Sequence, residues 1–104
     1  IGGINPRTML HSDFSSYGPT SDKRMKPNLA AFGEAIGSSN EKKEVATGTS
    51  FSSPLVAGFA ACVKQLHPDW TIQRLFSELE KSGHLYPYFD YAHGYGIPQA
   101  SYFL

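Results

Sequence analysis

The chain falls into two stretches with different patterning. Up to about residue 48, short apolar clusters alternate with polar turns marked by Gly and Pro. Residues 1–5, IGGIN, and 11–18, HSDFSSYG, predict short strands around a turn at Asn5-Pro6. GPTSDKRMKPN at 18–28 has prolines near both ends and charges between, the pattern of an exposed loop. LAAFG at 29–33 predicts a short buried strand closed by Gly33, and the polar EAIGSSNEKKEVATG at 34–48 reads as a surface excursion returning to Gly48. From Ser50 to Leu66 the chain is apolar nearly all round, with Val56, Phe59, Val63 and Leu66 among alanines and glycine. A helix of that kind is expected to be buried on every side. HPDWT ends it. Ile72, Leu75, Phe76 and Leu79 recur at i, i+3, i+4 and i+7, which predicts a second helix over 72–81 with Thr71 as cap and Gly83 just past its end. The tail from His84 is aromatic and broken by Gly and Pro, with a final short strand expected near GYGIP. Short strands between helices, one of them buried, point to an α/β fold with its sheet covered on both faces.

Composition narrows this picture. A chain of 104 residues makes at most one domain, and a hydrophobic content of 40% is enough for a core. Nine basic residues balance nine acidic ones, so charge gives no reason to expect nucleic acid or an anionic membrane as partner. The single cysteine, Cys62, has no partner for an internal disulfide, and its apolar setting, VAGFAACVKQL, predicts an inert core thiol. No apolar run approaches the ~20 residues of a membrane-spanning helix, and IGGINPRTML has neither the charged start nor the apolar stretch of a signal peptide. IGGI looks like a strand already under way, so the chain is expected to begin inside a larger domain.

The segment with chemistry in it is ATGTSFSSPLVAG, residues 46–58. Taken alone, Ser50 reads as a helix cap, since Ser and Thr satisfy free N–H groups at helix starts. Pro54 is expected in the first turn of that helix, where it is harmless. The wider pattern changes that reading. GTSFSSPLVAG resembles the nucleophile segment of the subtilisin-like serine proteases, and FSSYGPTSDKRMKPNLAAFG, HPDWT and GYGIPQA are similar to further segments of that family, in the family's order. Phe51 stands in place of the family's usual Met, Ser52 in place of Ala and Leu55 in place of a frequent His; Lys23, Asn28 and Phe32 replace Gly, Asp and Pro. None of these departures removes a catalytic atom, and Phe51 removes an oxidisable thioether.

The resemblance implies the C-terminal, nucleophile-bearing portion (1–104) of a doubly wound, mostly parallel sheet with a buried central helix. It makes Ser50 the nucleophile of a peptide-bond hydrolase working through an acyl-enzyme. The backbone N–H of Ser50 would bind the oxyanion, assisted by the Thr49 side chain, and Gly48 would let substrate backbone approach. A helix N-terminus suits that role, because its unpaired N–H groups and partial positive charge stabilise a forming oxyanion. The family's chain order of Asp, His, Ser puts both triad partners before Ser50. Asp13 and Asp22 match other parts of the family pattern, His11 lacks a His-Gly-Thr context, and Asn5 is too close to FSSYG to be the oxyanion Asn. The chain alone is therefore expected to be inactive, and either to self-associate through uncovered strands and helix or to be ordered only alongside the N-terminal remainder of its domain. Secretion or a cell-envelope location, and calcium in the parent domain, follow from family habit alone; no cofactor follows from this chain.

Two other readings stay open. One is a self-contained α/β-hydrolase with Ser50, Asp69 or Asp90, and His93; its elbow would be Gly-x-Ser-x-Gly, whereas this chain has Ser52 in the last place. The other is a protease-like binding domain without catalysis. His67 and His84 read as surface or capping residues, and Tyr86, Tyr88, Phe89, Tyr91 and Tyr95 as core and rim rather than a stacking platform. No set of His, Cys and carboxylates has metal-ligand spacing.

Overall fold

The computed structural model describes residues 1–39 and 42–104. Strands β1 (Gly2–Ile4) and β2 (Ala30–Phe32) pair in parallel, with Gly2 opposite Ala30 and Ile4 opposite Phe32. Parallel neighbours cannot be joined by a tight turn, and the long loop between them carries the predicted exposed segment. In it Thr20 and Arg24 both hydrogen-bond the Asp22 carboxylate. After β2, strands β3 (Glu34–Ser39) and β4 (Lys42–Thr47) form an antiparallel hairpin that delivers the chain to helix α1 (Thr49–Leu66). Helix α2 (Ile72–Lys81) follows, and the chain ends in a 3₁₀ turn at Ala100–Phe103.

The core is the seam where β2, α1 and α2 meet. Leu29, Ala31, Val56, Val63, Leu75 and Leu79 are buried there, with Phe59, Trp70 and Phe103 packed around them. The loop joining the helices is pinned by stacking: His67 lies flat on Trp70 at 3.9 Å, and the Arg74 guanidinium covers the ring at 4.8 Å. Lys64 adds bonds from its ammonium to the carbonyls of Pro68 and Trp70. The two parallel strands and the helices packed on them give the expected α/β character.

Several expectations are corrected. Residues 11–18 form turns and a single bridge, Ile4 to His11, rather than a strand. Ser12 N–H donates to Gly3 O at 2.9 Å and Ser15 Oγ accepts from Gly3 N–H at 2.9 Å, so the segment meets β1 through separate bonds, one of them from a side chain, rather than a regular ladder. The polar excursion at 34–48 is a hairpin, with Ile36 opposite Val45; both side chains face solvent, so no hydrophobic alternation marked the strands. Its tip, Asn40 and Glu41, lies outside the described residues. Near GYGIP the chain does run beside β2, through Tyr95 N–H to Asn28 O and Ala30 N–H to Gly96 O, without forming a regular strand.

The largest correction concerns α1. Its limits agree with the sequence, but only Ser52, Val56 and Val63 are buried. Leu55 and Leu66 are 52% and 57% exposed, and Cys62 lies on the surface rather than in the core. A helix apolar on all sides is covered only where neighbours exist, and β1, β2 and α2 meet one side of it.

Candidate active site at the start of α1

The end of β2 and the start of α1 are fastened through backbone groups. Gly33 N–H donates to Ile4 O at 3.0 Å, and Gly33 O accepts from Gly48 N–H at 2.8 Å. A Cβ on Gly33 would lie 2.5 Å from the tip of the Phe14 ring, so a side chain there requires that partly exposed ring to move. Gly48 is required for another reason. Its φ of 149° and ψ of 155° belong to a region open essentially to glycine, yet the space around its Cα is free. The chain thus turns sharply off β4 and enters α1 with an uncrowded approach on the outside of the turn.

Gly48 is the N-cap of α1, and no side chain caps the helix. Ser50 is therefore not the cap its residue type suggests. It is the second helical residue, exposed to solvent. Phe51 N–H bonds back to Gly48 O at 3.1 Å, while the N–H groups of Thr49 and Ser50 have no acceptor among the described residues. Pro54 sits further in than expected, as the sixth helical residue. The N–H it lacks is the one that would bond the Ser50 carbonyl four residues back. Ser50 thus has a free N–H on one side and a carbonyl without its helical donor on the other. A cavity of about 270 Å³ opens next to Thr49, walled by Tyr17, Gly18, Pro19 and Lys26.

No imidazole or carboxylate hydrogen-bonds Ser50 among the described residues. The histidines are engaged elsewhere. His84 Nδ1 accepts from Ile97 N–H at 2.8 Å. His11 stacks on Tyr17 at 4.1 Å and meets His93 edge to face at 6.3 Å. His93 Nδ1 lies 3.0 Å from both oxygens of Asp90. Burial by itself would raise the Asp90 carboxyl, but bonds from the His93 N–H and ring and from the Ala92 N–H outweigh it. They hold the group below the usual carboxylate range. At Asp22 the Thr20 hydroxyl and then Arg24 lower the carboxyl in the same sense. No group of three or more His, Cys, Asp or Glu could hold a metal ion among the described residues.

The arrangement is a glycine-shaped turn presenting a serine at an uncapped helix start, and residues 1–96 match the model of the Subtilase family, Peptidase_S8. This chain belongs to the subtilase family. It is 38% identical over 78 residues to the subtilisin-like protease SBT3.11 of Arabidopsis thaliana, covering 65% of this chain and 10% of that protein. It is 44% identical over 66 residues to the C5a peptidase of Streptococcus pyogenes, covering 58% of this chain and 6% of that one. The chain thus spans about a tenth or less of these relatives' length. No helix among the described residues is long and apolar enough to cross a membrane.

Sequence reasoning did not find every feature of this candidate site. The hairpin leading into Gly48 was missed. So was the bond from Ser52 Oγ to Phe32 O, at 3.2 Å, which only the folded chain brings together. The replacement of the family's usual Ala by Ser52 was the one visible signal for it.

Proposed function

We propose that this subtilase chain carries the nucleophile of a serine endopeptidase, with Ser50 as the attacking residue. The observation that carries the reading is the exposed Ser50 at the start of α1, flanked by N–H groups without acceptors. In the reaction a general base takes the Ser50 hydroxyl proton and Oγ attacks the scissile carbonyl carbon. The negative charge collects on the carbonyl oxygen, where the Ser50 N–H and the Thr49 side chain stabilise it; one such donor is worth about 3 kcal/mol of barrier. The base returns its proton to the leaving amine, and water then releases the acyl group by the same steps in reverse order. The base and its aspartate belong to polypeptide outside residues 1–104, so the chain alone is inactive.

The test uses both forms. The 104-residue chain neither cleaves casein nor reacts rapidly with a fluorophosphonate. Ser50→Ala in the full-length protein lowers turnover on the order of 10⁶, the scale of losing one triad member. Full-length protein that still cleaves after this change overturns the reading. The Asp90–His93 pair gives the self-contained hydrolase its one supporting observation, and rapid stoichiometric labelling of Ser50 in the isolated chain would establish it instead. The non-catalytic reading gains support if the full-length wild-type protein neither labels nor cleaves.

The same proposal covers the rest of the assembly. The parent domain is a doubly wound sheet whose remaining part is this chain's partner, its substrate is a peptide or protein, and its site of action is extracellular or at the cell envelope. Calcium binding belongs to the parent. Produced alone, the chain self-associates, because α1 exposes Leu55 and Leu66 and β3–β4 expose Ile36 and Val45. Sedimentation checks this: a monodisperse monomer at micromolar concentration would contradict it.

A further inference from the structure

Ser52 is the one hydroxyl of the nucleophile segment that the fold hides completely, at 0% exposure. Its Oγ donates to the carbonyl of Phe32, the last residue of β2, at 3.2 Å, and lies about where a Cβ on Gly33 would make ordinary contact, 3.4 Å away. Two residues before Ser50, Gly48 N–H donates to the next carbonyl along, that of Gly33. The residues two before and two after Ser50 are therefore tied to consecutive carbonyls at the end of the same strand. That strand end is itself fixed on β1 by the bond from Gly33 N–H to Ile4 O. The first turn of α1 needs such ties. It has no side-chain cap, and Pro54 removes a helical bond at the Ser50 carbonyl.

We propose that Ser52 is a positioning residue for Ser50. Its hydroxyl anchors the uncapped first turn of α1 to β2, and so sets where the Ser50 Oγ and N–H stand relative to a bound substrate. An alanine at this position lacks the oxygen and cannot make the bond. The inference rests on Ser50 being the nucleophile. At 3.2 Å the bond is long for a hydroxyl donor, so its contribution is modest, and losing it lowers turnover about threefold.

The experiment compares wild type, Ser52→Ala, Ser52→Cys and Ser50→Ala in the full-length protein by steady-state cleavage of a peptide substrate, well below the melting temperature. Ser52→Ala is expected to lower kcat about threefold with KM unchanged, because the loss is one of alignment rather than of substrate contact. Ser52→Cys keeps a weak donor of similar size and is expected to fall between wild type and Ala. Wild-type kcat in Ser52→Ala overturns the proposal, as does a loss that appears in KM with kcat unchanged. Ser50→Ala separates the two levels. If it is inactive while Ser52→Ala behaves as wild type, only the positioning role falls; if it remains active, the nucleophile assignment falls and this inference with it.

Discussion

The two helices begin in opposite ways. At α2, Thr71 has extended backbone geometry and its hydroxyl accepts from Arg74 N–H at 3.1 Å, an ordinary N-cap. At α1 the corresponding place is held by Gly48, which has no side chain to offer, and the N–H groups of Thr49 and Ser50 have no acceptors among the described residues. The first start uses its free donors locally. The second leaves them without such partners beside an exposed hydroxyl and is tied instead by backbone and Ser52 bonds to the end of β2. A helix start that gives up a cap in favour of tertiary ties keeps its donors for a ligand, which is what oxyanion binding needs.

Three substitutions sharpen that contrast through stability, measured by denaturant unfolding of the full-length protein. Gly48→Ala should have the larger effect, a loss of about 1–3 kcal/mol. The space around Gly48 is open, with nothing closer than 3.8 Å to an added Cβ. The cost therefore reports the φ of 149° rather than a clash. A neutral Gly48→Ala would mean that the turn relaxes easily and that the shape of the start is not fixed by glycine.

The smaller effect comes from a matched pair at the two starts. Thr71→Ala should cost about 1 kcal/mol by removing a cap. Ser50→Ala should change stability by less than about 0.5 kcal/mol, since it breaks no capping bond and alanine is a good helix former. Equal losses at the two sites would show that Ser50 caps its helix in solution and would remove the distinction between them.

Much of this was legible beforehand, for reasons that differ from residue to residue. The extent of α2 followed from Ile72, Leu75, Phe76 and Leu79 together with Thr71, because periodicity and capping depend only on neighbours in the chain. The family followed from several segments in fixed order, which no single composition could imitate. The N-cap of α1 was misassigned because Ser50 is a favourable cap residue, whereas Gly48 takes that place and Ser50 becomes the second helical residue. The hairpin at 34–47 was missed because Ile36 and Val45 pair on an exposed face, so burial never imposed alternation on the sequence. Cys62 was misjudged because an apolar run says that a helix can be buried, not which of its sides will be.

The sequence by itself determined the helical spans, the glycines at 33 and 48, the serine between Thr49 and Phe51, and the family to which they belong. These are properties of consecutive residues: their spacing, their propensities and their order. Tertiary structure alone decided that Phe32 meets Ser52, that Gly33 meets Gly48, and that α1 buries Val56 and Val63 while leaving Leu55, Cys62 and Leu66 exposed. Each of those outcomes depends on which surface arrives from a distant part of the chain. An apolar side chain or a free N–H can state what it requires, but only the segment packed against it determines whether that requirement is met.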